Sequence, residues 1–238
     1  MRAVKKSKMT RLIVPMTMVM MCQSYDYWQN KVLLAIIDQL QPYVREAEMV
    51  DMFGIQEDII FSIRYKDIGI RRADYAEFRA RLHTLSLIPV AIPSRLNSES
   101  FCRYHRLGTV FFEEGDSKEF MILLDKEVVR HIISKDYGFC ELIKETFLAC
   151  RDRYSQQIYL MLASWRKEGQ HMMNGKDFEA LLALNQGSKN NNKKKDLFTI
   201  LNDVKKELDD MLASGCGDLS FDYMEGGKQG ESLLIQIR

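Results

Sequence analysis

Cysteine pairs at metal-ligand spacing are missing from this chain, and that absence excludes the first classes of function. The five cysteines (Cys22, Cys102, Cys140, Cys150, Cys216) are scattered over 238 residues, and no two form a Cys-x-x-Cys pair. The four histidines (His83, His105, His131, His171) are equally dispersed. Such spacing supports neither a zinc module nor a disulfide framework, so free thiols in a reducing cytoplasm are expected, with no metal and no cofactor. An excess of one charge is lacking too, since 34 Lys+Arg stand against 33 Asp+Glu. If nucleic acid is bound, its phosphates must meet local basic patches rather than a global charge.

Catalytic signatures are absent as well. Gly227-Lys228 has no upstream glycine at phosphate-loop spacing and is followed by Gln229 instead of Ser or Thr. There is no His-x-His pair, no histidine opens His-x-x-Arg, and Gly-x-Ser-x-Gly does not occur. Carboxylate pairs such as Asp209-Asp210 and Glu113-Glu114 sit in polar surroundings and read as solvated charge. The expectation is a protein with no catalytic residues.

Long hydrophobic runs are scarce. Residues 1–11 carry five basic residues and residues 12–22 are eleven apolar or small ones, an arrangement that resembles a signal segment. Met20 and Met21 precede Cys22 where lipid attachment would need small residues, and the run is far short of the roughly 20 residues of a membrane span. A lipid-anchored surface protein would rest on this segment alone. The better account is a buried strand over 12–22 behind a basic tail, in a cytoplasmic protein with no membrane partner.

What is present is a succession of helices and strands. Ser24 is a candidate N-cap for a helix over 25–41, which Pro42 interrupts and which resumes over 44–52. Residues 58–65 alternate as a strand. Arg71-Arg72-Ala73-Asp74 leads into a helix with Tyr75, Phe78, Leu82 and Leu85 inward and Arg72, Arg79, Arg81 and His83 on the opposite side. A short strand over 87–93 precedes a hairpin of 108–113 and 119–124, and 125–134 is helical. The turn 135–138 is the expected boundary between domains 1–135 and 136–238. Beyond it, helices are expected over 139–150, 152–168 (with Tyr154, Ile158, Leu162 and Trp165 on one stripe) and 174–185, the last capped by Asn174.

The last fifty residues carry the functional signal. Lys193, Lys194 and Lys195 open an amphipathic segment to about Ala213. Leu197, Ile200, Leu201, Val204, Leu208, Met211 and Leu212 fall on one side, Lys195, Thr199, Asn202 and Lys206 on the other. Those polar side chains suit phosphates and base edges, Asn matching adenine and Lys guanine. Asp203, Asp209 and Asp210 lie toward the far end, as in a helix entering a major groove by its N-terminal half. Three lysines at the positive end of a helix dipole cost roughly 0.3–1 kcal/mol per close charge, a conflict a DNA phosphate would remove. A solvated basic loop accounts for them equally. Strands over 218–223 and 232–238 flank a glycine-rich turn carrying Lys228, as in a winged helix, although any edge hairpin uses such a turn. Asp222, Glu225 and Glu231 would have to point away from phosphate.

From Arg153-Tyr-Ser-Gln-Gln-Ile-Tyr-Leu-Met-Leu-Ala-Ser-Trp-Arg-Lys-Glu-Gly169 onward the chain resembles the iteron-binding plasmid replication initiators. The likeness continues through Phe178–Leu184, Asp196-Leu-Phe, Val204, Glu207-Leu208 and Asp218-Leu-Ser-Phe-Asp-Tyr, and more loosely at Gln29–Ile37 and Tyr75–Leu87. It spans residues 24–238, departing at the Met-rich segment 12–22 and at the lysine run. The resemblance implies an α+β fold of two winged-helix domains in tandem, each with a helical bundle and a β-hairpin wing. It implies that the second domain reads double-stranded origin repeats (iterons) through the helix matching 195–212, and that the first serves dimerisation or DNA-backbone contact. It further implies a monomer–dimer equilibrium, recruitment of a host initiator and helicase, and repression of the protein's own promoter. The residues expected to touch DNA are Lys193, Lys194, Lys195, Thr199, Asn202, Lys206 and Lys228; in the first domain Arg71, Arg72, Arg79 and Arg81 are weaker candidates for backbone contact, and ordinary surface arginines account for them equally. A winged-helix transcriptional regulator without a replication role uses the same residues and is the alternative.

Overall fold

The computed structural model describes residues 9–45, 59–96, 99–112, 117–134, 138–184, 196–226 and 232–238; the side chains at 45, 93–96 and 99–102 lie outside the description. Within it the chain is a mixed α+β protein that divides into two compact units, Leu12–Cys140 and Met1–Arg11 with Glu141–Arg238.

The first unit starts in β1 (Arg11–Pro15), shorter than the strand expected over 12–22. Pro15 ends it, and Met20 and Met21 donate back to the Thr17 carbonyl to form the short α1 (Met18–Met21). The side-chain amide of Gln41 both accepts from Ile13 N at 2.8 Å and donates to Ile13 O at 2.9 Å, satisfying a strand backbone from a side chain.

Helix α2 (Tyr27–Gln39) is capped by Asp26, not Ser24. The Asp26 carboxylate accepts from Trp28 N and Gln29 N, each at 2.9 Å, while the Gln29 side chain accepts from Asp26 N at 3.0 Å. This reciprocal box satisfies helix-start donors, which Ser24, inside a 3₁₀ turn, does not reach. Helix resumes in α3 (Gln41–Arg45), and the expected continuation to residue 52 lies outside the described residues.

Strand β2 (Ile59–Arg64) leads to α4 (Tyr75–Leu85), whose Phe78, Leu82 and Leu85 are fully buried and whose Tyr75 is half-buried. Strand β3 (Pro89–Leu96) pairs antiparallel with β4 (Glu99–Arg106), from Pro89↔Arg106 to Leu96↔Glu99. The polar stretch 99–106 carries no apolar alternation, so this partner strand was not foreseen. Strands β5 (Gly108–Phe112) and β6 (Glu119–Leu124) form the expected hairpin, and β2 adds to the free edge of β6 in the order β2-β6-β5. Gly108 is obligatory, because a Cβ there would lie 2.2 Å from the Leu123 carbonyl oxygen. Tyr65, Phe78 and Phe120 interlock behind this sheet with ring centroids 5.5–5.9 Å apart. Helix α5 (Lys126–Ile133) is capped by Asp125.

Residues 139–150 were expected as one helix. They form β7 (Phe139–Ile143), with Cys140 and Leu142 buried and Glu141 exposed, and then the short α6 (Lys144–Ala149). The second unit is built around α7 (Arg153–Trp165), capped by Asp152. All nine residues from Ser155 to Ala163 are buried, so this is a central helix enclosed on every side rather than one with a single apolar stripe. Gly169 turns at φ 72°, a left-handed conformation that costs glycine little, and releases β8 (Gln170–Asn174). This strand was missed because Gln-His-Met-Met-Asn has no β-branched residue. Asn174 caps α8 (Gly175–Leu181), as expected. Helix α9 (Leu197–Ala213) is followed by β9 (Phe221–Gly226) and β10 (Ser232–Ile237), and β10 pairs antiparallel on both sides in the order β8-β10-β9. No helix among the described residues is long and apolar enough to cross a membrane.

Candidate nucleic-acid interface

Helix α9 is held by an apolar face. Leu197, Ile200, Leu201, Val204 and Leu208 are buried, whereas Met211 is half-buried and Leu212 is 42% exposed, so the buried stripe stops one turn earlier than its periodicity suggests. Glu207 belongs to the interior as well. Its carboxylate accepts from the Arg151 backbone N–H and from the Ser155 hydroxyl, both at 2.8 Å, beside the Asp152 cap of α7. This joins the middle of α9 to the first turn of α7 and fixes its rotation.

With that rotation set, Thr199, Asn202 and Lys206 are brought together on one exposed face. They can offer a hydroxyl, an amide and an ammonium to an approaching polyanion. Lys193, Lys194, Lys195 and Lys228 lie outside the described residues.

Helix and sheet are tied by charge. Lys205 Nζ lies 2.8 Å from Asp209 and 3.3 Å from Asp222; Arg238 lies 2.8 Å from Asp209 and 3.0 Å from Asp222. The Ser220 hydroxyl also donates to Asp209. The Lys205 hydrogen bond, followed by that of Ser220, holds the Asp209 carboxyl below its ordinary value, and Asp209 in turn raises Lys205. Asp209 and Asp222, two of the carboxylates that would oppose phosphate, are therefore engaged by cations of the same unit, whereas Glu225 is exposed and Glu231 lies outside the described residues. The sequence pattern marks neither Arg238 nor Ser220 as a partner, because both are distant in sequence from the helix.

Tyr223 on β9 is another unforeseen participant. Its hydroxyl donates to Asn202 Oδ1 at 3.0 Å, and its ring stacks on Phe198 with centroids 6.2 Å apart and planes 25° from parallel. Behind this surface, Asp218 accepts from the Tyr159 hydroxyl at 2.7 Å and pairs with Arg166. The tyrosine hydroxyl is pushed well above its usual range, first by burial and then by the Asp218 charge.

In the first unit the four arginines differ. Arg71 is exposed and paired with Asp74 at 3.0 Å, and Arg72 is exposed. Arg81 is 56% exposed, with Asp26 and Glu77 at 3.9 and 3.8 Å. Arg79 turns inward, donating to the Tyr65 hydroxyl at 2.9 Å and the Ser117 carbonyl at 3.2 Å, so it does not share the open side of α4. Among the described residues no group of three or more His, Cys, Asp or Glu could hold a metal ion.

No family model and no curated protein matches this chain. Among solved structures it is similar to the Pi initiator protein in complex with iteron DNA, with a TM-score of 0.64 and 15% identity over 98% of each chain. At that identity the likeness is one of fold, and it extends through both units.

Proposed function

We propose that this protein is a non-enzymatic plasmid replication initiator that binds repeated double-stranded origin DNA. The observation that carries the proposal is the full-length likeness to an initiator whose structure holds iteron DNA. The exposed Thr199–Asn202–Lys206 face of α9 adds chemistry suited to that partner. On this reading both units are winged-helix domains in tandem. The second unit reads base edges with α9 and uses the β9–β10 hairpin as its wing, the lysines at 193–195 and Lys228 meeting phosphates. The first unit serves dimerisation or backbone contact, with Arg71, Arg72 and Arg81 the more accessible of its four candidate arginines. The protein acts in the cytoplasm, opens the origin, passes it to a host initiator and helicase, and as a dimer represses its own promoter.

The test is a gel-shift titration on DNA flanking the gene against scrambled DNA at two salt concentrations. Preferential binding to tandem direct repeats is expected. Preference for a single inverted repeat would instead indicate a transcriptional regulator, and equal affinity for scrambled DNA would remove the sequence-reading role.

A further inference from the structure

The Tyr223 hydroxyl donates to Asn202 Oδ1 at 3.0 Å from a different element of the same unit. An asparagine amide on an exposed helix face ordinarily has two orientations, related by a half-turn, that exchange its carbonyl oxygen and its NH₂ group. The two differ fundamentally in what they offer a base edge. Bidentate pairing with adenine needs an oxygen to accept from N6 and an NH₂ to donate to N7, in one fixed order. A phenolic hydroxyl can donate or accept, but its oxygen is the weaker acceptor because the ring draws on its lone pair, so held beside the amide it favours the orientation that directs oxygen toward it. It leaves one oxygen lone pair and both amide hydrogens available.

The tyrosine is itself held in place. Its ring neighbours Phe198, at 6.2 Å, and Phe221, at 6.4 Å, and Phe221 is fully buried. The β9–β10 register sets Tyr223 opposite Ile235, itself buried. The hydroxyl therefore approaches α9 from a position set by the sheet.

We infer that Tyr223 is a positioning residue for base reading: it biases the Asn202 amide toward the orientation that discriminates adenine from guanine. This rests on the proposed reading of α9 as the base-contacting helix. It makes the sheet a determinant of sequence preference through a residue that need not touch DNA.

The experiment is a double-mutant cycle on base preference. A randomised duplex pool is selected with the unmodified chain, and the base pair whose preference Asn202→Ala abolishes marks the contact. The adenine-to-guanine discrimination at that pair is then measured for the unmodified chain, Tyr223→Phe, Asn202→Ala and the double variant, with thermal melts confirming that each folds. Asn202→Ala is expected to erase a discrimination of about five- to 150-fold. Tyr223→Phe, which keeps the ring and removes only the hydroxyl, should lower it measurably, by up to about twofold, the factor for freeing two amide orientations. It should lower it no further once Asn202 is alanine. The inference is overturned if Tyr223→Phe leaves discrimination intact while Asn202→Ala removes it, or if the phenylalanine has the same effect in both backgrounds. If Asn202→Ala changes no preference at any position, the reading of α9 fails, and the role of Tyr223 with it.

Discussion

Glu207 and Ser155, 52 residues apart, meet in the interior, where the serine hydroxyl donates to the glutamate Oε2 at 2.8 Å. The other carboxylate oxygen accepts from the Arg151 N–H at 2.8 Å. A buried carboxylate with two donors is stable only while both remain, and truncation strands those donors. Glu207→Ala should therefore destabilise the protein by about 2–3 kcal/mol, and Glu207→Gln by less, since an amide retains one acceptor oxygen. Urea denaturation monitored by circular dichroism measures both. Equal stability of all three proteins would contradict the anchoring role.

The cluster of Lys205, Asp209, Asp222 and Arg238 makes a pH-dependent link between α9 and the sheet. Asp209 is held below its ordinary value of 3.8, so its contribution is complete above that value. It is lost as the pH falls through the lowered folded value, where the carboxylate protonates. The stability difference between the unmodified chain and Asp209→Asn should shrink as acid is added below about pH 4. Lys205 has the opposite sign, raised above 10.5, and contributes until alkaline pH removes its proton. Denaturation midpoints across the acid range provide the measurement; a difference that grows toward low pH would reverse the assignment.

Tyr25 offers a stabilising substitution. It is 1% exposed, and its hydroxyl has no hydrogen-bond partner among the described residues. Burial, and then the nearby Cys22, pushes that hydroxyl above its usual range. A buried hydroxyl without a partner incurs a desolvation cost of about 1–3 kcal/mol, which Tyr25→Phe would relieve in part. The expected gain is up to about 1 kcal/mol in a denaturant midpoint experiment. A loss of that size would reveal a partner for the hydroxyl.

Charge and sequence readout should separate on DNA. Lys206→Ala and Lys194→Ala are expected to weaken binding to all duplexes alike, each lowering the slope of log affinity against log salt by about 0.9 if one phosphate contact is lost. Asn202→Ala should instead relax preference at one base pair by about 1–3 kcal/mol. Gel shifts at several salt concentrations on selected and scrambled duplexes distinguish the two. Identical losses on both duplexes for all three variants would dissolve the division of labour along α9.

Much of this molecule was legible locally. The alternation of residues 58–65, the Phe78-Leu82-Leu85 stripe and the 108–124 hairpin each carry their own periodicity, and each forms the expected element. The Asn174 cap and the apolar spacing of α9 are likewise local signals. The departures share a cause. Ser24 lost to Asp26 because a capping box depends on which side chain reaches the helix-start amides. Strands β4 and β8 have polar sequences and are strands only because β3 and β10 pair with them. The sequence of α7 marks one apolar stripe, but the rest of the unit encloses the helix on all sides.

The same division holds at the candidate site. Sequence alone determined that Thr199, Asn202 and Lys206 share one face, because a helix places residues three and four apart side by side. It determined the acidic end of that helix and the absence of any familiar catalytic motif. Only the tertiary structure decided which way the face turns, through Glu207 and the apolar core. It likewise decided that Asp209 and Asp222 are held by Lys205 and Arg238, and that Tyr223 holds the Asn202 amide. Apart from the Lys205–Asp209 pair, which helix periodicity itself brings together, those relations join residues 16 or more positions apart, and no local periodicity encodes them. Chain reversal and strand register create them, and both are settled only when the core closes.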